Sequence, residues 1–243
     1  VVRVVSWNIQ HLEQYDRSVS ADLALTQMLH ALNADVLLLQ EVDLDKERTN
    51  NSDQLSVIAS TFGAPHSKFK ETRLIPKEEG KYGIGIASKI PVVEWYSIDL
   101  PRSPIGKRMT FHFGDESETF YVTDHPRAAL AAVLENGYCV VNTHLSFMPI
   151  AAQLQMIRVA LWSKKIARKH NAKLIIGGDF NYVGTAWLKL FGIRDSVFGD
   201  TFPAWKPEKQ IDHFLVESNI KVSFEEIGEQ GPLSDHRWIA IDI

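Results

Sequence analysis

The chain contains a single cysteine, Cys139, so no disulfide bond can form within its 243 residues. No apolar run approaches the ~18 residues needed to cross a membrane, and no signal peptide is recognisable. Neither sign of charge is in large excess, because 26 basic residues stand against 30 acidic ones and the net charge is -4. These absences exclude a disulfide framework and a membrane span, and they argue against a strongly basic nucleic-acid-binding surface.

Three common catalytic signatures are also missing. The sequence contains no serine nucleophile elbow, no phosphate-binding P-loop and no Cys/His spacing of the kind that holds zinc. If the protein is an enzyme, its chemistry therefore rests on carboxylates, amides and histidines.

A hydrophobic content of 45% supports a sizeable core, and no linker, repeat or low-complexity segment divides the chain. We therefore expect one domain spanning residues 1–243. Strand-like segments are joined partly by helices and partly by hairpins, which predicts an α/β fold with two mixed sheets covered by helices.

The apolar spacing predicts three helices, with Ser20 as the N-cap of the first: 20–32, 54–62 and 150–170. Two strand pairs are predicted, one turning at Asn136-Gly137 and one at 89–91: 127–134 with 138–143, and 82–88 with 92–100. Residues 101–123 suit a hairpin or a long surface loop. The basic end of the third helix could contact nucleic acid, but a solvated helix C-terminus explains it better.

The stretch Leu174–Asn181, LIIGGDFN, carries the most informative local pattern. A buried apolar strand runs into two glycines, which allow the backbone to pass close to another segment. Asp179 and Asn181 follow at strand period, so they are expected to face the same side. An ordinary turn would use similar residues, but a carboxylate beside an amide could also hold a phosphate or the water that attacks one.

Similar polar residues follow or precede other apolar runs of the chain. They are Asn8, Glu41, His144, Asp212 and the pair Asp235-His236. A solvated surface position is the alternative for any one of them, Glu41 included. In open α/β sheets such strand ends converge on one edge, where ligands bind. Carboxylates for a hard cation, imidazoles for proton transfer and amides for oxygen atoms suit metal-assisted displacement at phosphorus.

Six short motifs occur in a characteristic order between residues 6 and 240: SWNIQ, LQEVD, NTHLS, GGDFN, IDHFLV and SDHRWIA. Together they resemble the endonuclease/exonuclease/phosphatase superfamily over essentially the whole chain. The stretches YGIGIASKIPV, HPRAAL, NTHLSFMP and TFPAWKP are similar to a group of largely uncharacterised bacterial members. The resemblance implies a four-layer α/β sandwich, with two mixed sheets packed face to face and helices outside, and a phosphoesterase dependent on Mg²⁺ or Mn²⁺.

The resemblance also implies a role for each matched residue. Glu41 would be the main metal ligand, with Asn8 beside it and Asp235 near the metal. Asp179 would orient or deprotonate the attacking water, while Asn181 would hold the phosphate. His236, oriented by Asp212, would bind or protonate a phosphoryl oxygen, and His144 would assist the leaving oxygen. Arg127 would reach the substrate phosphate, with Lys107 and Arg108 as further candidates for substrate binding.

One position departs from the resembled pattern. Apurinic endonucleases carry an aspartate where this chain has Gln10, which weakens an abasic-site specificity and removes one metal ligand. Two substrate classes therefore stay open at this point. The first is a nucleic-acid or nucleotide-like phosphodiester, and the second is a phosphomonoester or a phospholipid or inositol-phosphate head group. A binding protein with an inactive site is a third reading, which the full set of residues argues against.

The expected partner is a phosphate-ester substrate, with DNA or RNA as candidates. We expect a monomer in the cytoplasm. The chain begins without methionine, directly in a strand-like pattern, which leaves room for a targeting segment removed before residue 1.

Overall fold

The structure, a computed structural model, describes residues 1–73, 79–113 and 116–243. Strands of the first half of the chain are β1 Arg3–Asn8, β2 Val36–Lys46, β3 Ser52–Asp53, β4 His66–Arg73, β5 Lys81–Ser88, β6 Val92–Leu100, β7 Lys107–Phe113 and β8 Glu116–Val122. Those of the second half are β9 Arg127–Leu134, β10 Tyr138–His144, β11 Lys173–Asp179, β12 Ile193–Asp195, β13 Asp212–Glu217, β14 Phe224–Ile227 and β15 Ile239–Asp242. The α-helices are α1 Ala21–Leu32, α2 Gln54–Phe62 and α3 Pro149–Lys169, and short 3-10 helices span Gln10–Leu12, Glu47–Thr49 and Ala186–Phe191.

Most strands lie in two mixed sheets. Sheet I has the order β14-β15-β1-β2-β5-β4, with β3 beside β2, and sheet II has the order β12-β13-β11-β10-β9-β6. Each sheet contains one parallel pair near its centre, β1 with β2 and β10 with β11. Strands β7 and β8 form a separate hairpin within the 101–123 segment.

The fold has four layers, namely two sheets and the helices outside each of them, and an apolar core fills each of the three interfaces between layers. The two sheets pack face to face through side chains such as Leu38 of sheet I and Phe214 of sheet II. Helices α1 and α2 cover the outer face of sheet I, and α3 covers the outer face of sheet II. Because β-branched and leucine side chains fill both faces of the central strands, the strands read as continuous apolar runs. The expected α/β architecture of two mixed sheets with helices outside is confirmed.

The helix boundaries follow from local chemistry. The Ser20 hydroxyl accepts a hydrogen bond from the Leu23 N–H at 3.3 Å, so Ser20 is the N-cap of α1 as predicted. Helix α2 ends at Gly63, whose φ of 74° is the left-handed conformation that glycine adopts most easily. Helix α3 begins with Pro149, which suits the first helical position because it lacks an N–H. No helix in the described ranges is long and apolar enough to cross a bilayer.

Two predicted strand pairs had different outcomes. The hairpin of β9 and β10 is confirmed, with Gly137 at a φ of 84° in its turn. The predicted pairing of 82–88 with 92–100 is wrong. Strand β5 pairs with β2 and β4 in sheet I, whereas β6 pairs with β9 in sheet II, so the turn at 89–91 carries the chain from one sheet to the other.

Candidate active site

The polar strand ends meet at one edge of the sandwich. In sheet I, Asn8 at the end of β1 lies beside Gln40 of β2. In sheet II, Asp179 at the end of β11 is aligned with His144 of β10 and with Asp212 of β13. Since the sheets pack face to face, these ends face each other across the two layers, as the sequence predicted for a ligand site.

A β-bulge turns Glu41 toward this edge. Leu39 pairs with Gly85 and Val42 with Gly83, so Gln40 and Glu41 together face only one residue of β5. Glu41 has a φ of 58°, the left-handed region that an ordinary strand residue avoids. Such bulges redirect a side chain that regular alternation would place elsewhere.

The two glycines before Asp179 have the role that the sequence indicated. A Cβ on Gly178 would lie 1.9 Å from the Thr143 carbonyl oxygen, and its φ of 147° also favours glycine. A Cβ on Gly177 would lie 2.6 Å from the Phe214 ring. Only glycine therefore lets β11 approach β10 and β13 closely enough to place Asp179 beside His144, and the predicted close approach is confirmed.

Asn8 connects the two sheets through its amide. Its Nδ2 donates to Glu41 Oε1 at 3.1 Å and to Asp179 Oδ2 at 3.0 Å, and the Gln10 N–H donates to its Oδ1 at 3.0 Å. The side chain is fully buried. In this orientation Asn8 holds the two carboxylates together, while its oxygen is occupied by the backbone.

His236 is a positively charged member of the cluster. Its Nδ1 donates to Asp212 Oδ2 at 2.9 Å, and the Thr201 hydroxyl donates to the same oxygen at 2.6 Å. Burial lowers the pKa of His236, but the charge of Asp212 and this hydrogen bond raise it by more, to about 10. His236 is therefore an imidazolium at neutral pH, oriented by Asp212.

Asp179 is a carboxylate in a buried position. Burial raises its pKa, and although the nearby His236 charge lowers it, the pKa settles at about 7. Its Oδ2 lies 3.8 Å from His236 Nε2, and its Oδ1 accepts the Asn181 N–H at 2.8 Å. A carboxylate with a pKa near neutrality can take up a proton during a reaction.

His144 and Asn181 form a second polar pair. The two side chains contact through His144 Nε2 and Asn181 Nδ2 at 3.1 Å, and Nδ2 also donates to the Leu145 carbonyl at 3.1 Å. Strand β11 ends before Asn181, yet a φ of 49° turns the residue back to the same site as Asp179. Burial and the charges of Arg127 and other cations lower the pKa of His144 well below its usual range, so its imidazole is neutral.

Arg127 is buried next to the site and has hydrogen-bond donors that are unpartnered within the described ranges. It begins β9 beside Ala128, which is aligned with His144, and its guanidinium is 2% exposed. Its Nη2 lies 3.6 Å from Asp124 Oδ1, whereas Nε and Nη1 have no hydrogen-bond partner among the described residues. Burial lowers the pKa of Arg127, but a guanidinium remains charged in proteins. A buried cation with free donors is suited to an anionic ligand.

The donor atoms suit a hard metal ion. Glu41, His144 and Asp179 can each offer one ligand atom so that the three atoms lie within 4.8 Å of one another. Asp179, Asp212 and His236 form a second such group, but there the His236 Nδ1 is already occupied by Asp212. Both groups contain two carboxylates, but Asp212 of the second is committed to His236, and only the first includes the half-buried Glu41, so the first fits Mg²⁺ or Mn²⁺ better.

Asp235, a predicted metal neighbour, belongs to neither group of ligand atoms within the described ranges. Burial raises its pKa to about 6, with Glu41 adding to the effect. Its backbone N–H donates to Gln10 Oε1 at 3.1 Å, and the Tyr15 hydroxyl donates to the same oxygen at 2.8 Å. Gln10, noted as a departure, therefore orders the loop that carries Asp235.

An exposed aromatic pair borders this loop. The rings of Tyr15 and Trp205 lie 5.6 Å apart, and the two side chains are 45% and 51% exposed. The Ala204 N–H donates to the Asp235 carbonyl at 2.7 Å, which holds Trp205 next to the site. Trp205 lies in the TFPAWKP stretch, and the only signal in the sequence that marks this stretch is its resemblance to other sequences.

The two further substrate-binding candidates lie in different places. Lys107 Nζ donates to the Phe147 carbonyl at 3.2 Å, three residues after His144. Burial, followed by the charge of Lys209, lowers the pKa of Lys107. Arg108 is exposed on β7, and no contact within the described part of the chain connects it to the cluster. The fold thus brings only Lys107 to the rim.

Tyr82 is a site residue that sequence reasoning missed. Its hydroxyl is hydrogen-bonded to Glu41, its ring lies 6.2 Å from that of His125, and the Arg48 guanidinium lies 5.8 Å from the ring centre. Burial raises the pKa of Tyr82 well above its usual range, so it stays a neutral donor to Glu41. A tyrosine at the start of an apolar strand reads as core, and no local signal marks its contact with Glu41.

Comparisons with known proteins agree with this geometry. Residues 5–236 match the model of the Endonuclease/Exonuclease/phosphatase family. No curated protein sequence matches the chain significantly.

Solved structures share the fold over nearly the whole chain. A functionally unknown protein from Enterococcus faecalis V583 has a TM-score of 0.69 at 16% identity, covering 99% of this chain and 98% of the other. A mannosyl-6-phosphatase from Bacteroides thetaiotaomicron has a TM-score of 0.64 at 17% identity, covering 100% and 99%. The human Nocturnin catalytic domain with bound sulfate has a TM-score of 0.67 at 17% identity, covering 99% and 92%. At these identities the likeness shows the fold alone.

Proposed function

Because the chain belongs to the endonuclease/exonuclease/phosphatase family, which hydrolyses phosphoester bonds, we propose that it is a Mg²⁺- or Mn²⁺-dependent phosphodiesterase. Its substrate would be a nucleic-acid or nucleotide-like diester. The observation that carries the proposal is the Asn8 amide, which joins Glu41 and Asp179 within 3.1 Å beside the charged His236. One buried cluster thereby combines metal ligands, a base and a cation.

Asp179 is the proposed base. Its pKa of about 7, raised first by burial, lets it accept a proton from water near neutral pH. The Asn8 and Asn181 N–H groups hold its two oxygens, so its orientation is set before the reaction. A positioned base is typically worth roughly 10²–10⁴-fold in rate.

Three groups would stabilise negative charge on the phosphoryl oxygens. His236 is an imidazolium held by Asp212, and Arg127 has two donor nitrogens without a hydrogen-bond partner among the described residues. Asn181 would add a third donor by exchanging its Nδ2 hydrogen bond to the Leu145 carbonyl for one to the phosphate, while His144 still accepts the other amide hydrogen. A hard cation bound by Glu41 would polarise the phosphoryl group and add to this stabilisation. Preorganised donors of this kind are usually the largest single contribution to catalysis.

His144 has a different role in this proposal from the one the resemblance implied. Its lowered pKa makes it a neutral imidazole, and positive charge added at Glu41 would lower that pKa further. Its Nε2 faces the Asn181 amide at 3.1 Å and so can accept a hydrogen bond from it. We therefore assign His144 the positioning of Asn181, while protonation of the leaving oxygen stays the competing prediction.

The residues at the rim of the site favour a substrate that contains a planar base. Tyr15 and Trp205 expose ring faces next to Asp235, and base–aromatic stacking contributes about 1–3 kcal/mol per base. Lys107, held at the Phe147 carbonyl near His144, supplies a positive charge for a neighbouring phosphate. A phosphomonoesterase, or a phospholipid or inositol-phosphate head-group hydrolase, would use the same cluster without needing these rings.

A substrate panel with and without chelator tests the proposal. Purified protein is assayed on DNA, RNA, dinucleotides, nucleotide monoesters, inositol phosphates and phospholipids, with Asp179→Asn as the inactive control. We expect turnover of nucleotide diesters that EDTA abolishes and that Mg²⁺ or Mn²⁺ restores. Full turnover by the chelated protein would disprove the metal dependence. Preference for a monoester or a phospholipid would replace the diester assignment by the second class.

A further inference from the structure

The outward side of α3 carries a regular line of exposed residues. Their spacing of three or four positions puts them on one face of the helix, and we call this set the α3 stripe: Ile150, Leu154, Arg158, Leu161, Lys165 and Arg168. The opposite face of the helix is buried against sheet II through residues such as Met156 and Val159. The stripe is therefore not needed for packing the helix onto the protein.

The charge of α3 is one-sided. Its 21 residues include five lysines and arginines and no aspartate or glutamate, in a chain whose net charge is -4. Of these cations, Lys169 pairs with Glu94 at 3.6 Å. Arg158, Lys165 and Arg168 form no ion pair within the described ranges. Their positive charge thus faces outward without an internal counterion.

Aliphatic side chains alternate with these cations. Ile150, Leu154 and Leu161 are 76%, 63% and 55% exposed, and Ile105 of the neighbouring loop is 62% exposed. An apolar groove of about 670 Å³ lies between that loop and the N-terminal half of α3, with Arg158 among its lining residues. Single exposed leucines are ordinary, but a continuous apolar surface rimmed by polar residues marks an interaction site.

We propose that the α3 stripe docks on the surface of an anionic lipid bilayer. A face that interleaves Lys and Arg with Leu and Ile suits that surface, because the aliphatic groups enter the interface while the cations meet lipid phosphates. A nucleic acid would satisfy the cations but would leave Leu154 and Leu161 against a polyanion. A second copy of the chain would bring two sets of cations together and repel itself.

The α3 stripe lies close to the candidate active site, so docking of the stripe would also position that site. Pro149, at the start of α3, lies only five positions after His144, a span of at most about 18 Å. Leu100, which precedes the groove-lining loop, is aligned with Arg127 at the catalytic edge. Docking through the groove and the stripe would hold the catalytic edge close to the head-group layer.

Vesicle co-sedimentation tests the proposal without any activity assay, so its result is independent of the proposed reaction. The full chain is mixed with phosphatidylcholine vesicles, with or without phosphatidylglycerol. We expect binding only to the anionic vesicles. Arg158→Glu with Lys165→Glu should weaken it more than about tenfold, since each basic residue near an anionic leaflet contributes about fivefold. Leu154→Ser with Leu161→Ser should also weaken it.

Matched controls make the same changes on other surfaces. Lys68→Glu with Lys221→Glu alters the net charge equally, and Val57→Ser with Val93→Ser removes exposed aliphatics elsewhere. Both controls should bind like the wild type. The proposal is overturned if anionic vesicles do not bind, or if binding survives both stripe variants. If the serine variant binds normally while RNA competes for the site, the stripe is a nucleic-acid surface and the proposal is overturned. It is also overturned if sedimentation velocity shows a dimer that the stripe variants dissociate.

Discussion

Nδ2 of Asn8 lies 3.0 Å from Oδ2 of Asp179, so an uncharged amide holds a buried carboxylate across the two sheets. The same nitrogen lies 3.1 Å from Oε1 of Glu41. An amide at this position separates two like charges without adding a third. Its neutrality, as well as its reach, therefore shapes the site.

Asn8→Asp tests whether Glu41 binds a metal ion next to Asp179. Three carboxylates would then share the single imidazolium of His236, whose Nε2 lies 3.5 Å from the Asn8 amide nitrogen, and a buried charge left without its own partner costs about 3 kcal/mol or more of unfolding free energy. We expect this loss in EDTA and a clear recovery in Mg²⁺ or Mn²⁺, measured by urea unfolding. Asn8→Ala, which adds no charge, should recover less. Equal behaviour of the two variants in EDTA and in metal would show that Glu41 binds no metal ion beside position 8.

The roles of His144 and His236 can be distinguished by changing the leaving group of the substrate. If His144 only positions Asn181, His144→Ala should lose a similar factor in kcat/KM on a natural diester and on a nitrophenyl diester, and His144→Gln should recover part of it. If His144 instead protonates the leaving oxygen, most of a roughly 10²–10⁴-fold loss should vanish with nitrophenolate, which leaves without a proton. His236→Ala should be impaired on both substrates, because charge on the phosphoryl oxygens develops with either leaving group. Circular dichroism checks that each variant is folded.

Trp205 should affect binding of a base-containing substrate more than turnover. A half-exposed stacking partner belongs at the lower end of the range for base stacking, so Trp205→Ala should raise KM about fivefold to tenfold with kcat nearly unchanged. Trp205→Phe should keep most of the affinity. Phe198→Ala, at another exposed aromatic, is the control and should leave KM unaltered. An unchanged KM for Trp205→Ala on dinucleotides would separate the aromatic pair from substrate binding.

The pair His213–Asp195 should make stability depend on pH. His213 Nδ1 lies 2.6 Å from Asp195 Oδ2, and both side chains are buried. Burial lowers the pKa of His213, but the hydrogen bond and charge of Asp195 raise it above 6.5 overall. The pair's stabilisation is therefore complete below pH 6.5 and fades as the pH rises through the folded pKa.

Asp195→Asn should accordingly lose more stability in acid than in base. We expect a loss of about 3 kcal/mol in unfolding free energy below pH 6.5, and a clearly smaller loss at alkaline pH, where His213 is neutral. Urea unfolding at the two pH values measures both. Asp99→Asn, at a carboxylate 81% exposed, should show no such difference. An equal loss at both pH values would mean that His213 does not gain a proton in the folded protein.

His213 also illustrates what alternation along a strand can predict. Because Asp212 faces the site, alternation along the strand predicts that its neighbour His213 faces away, and in the structure His213 packs against Phe180. The apolar runs, the turn at Gly137 and the glycines before Asp179 are equally local signals, so the sequence predicted the fold class and the edge of the site from them. The roles carried over from the resembled family remain predictions that the experiments above address.

The sequence by itself determined which segments are buried and which polar residues end them, because side-chain alternation, capping and glycine geometry act within a few residues of the chain. Only the tertiary structure decided that β5 joins sheet I, that a bulge aims Glu41 inward and that Tyr82 reaches it. It alone also set the charge states, a protonated His236 and a neutral His144. Strand partners and pKa values depend on burial and on charges brought close by packing, and residues far apart in the chain carry no local sign of either.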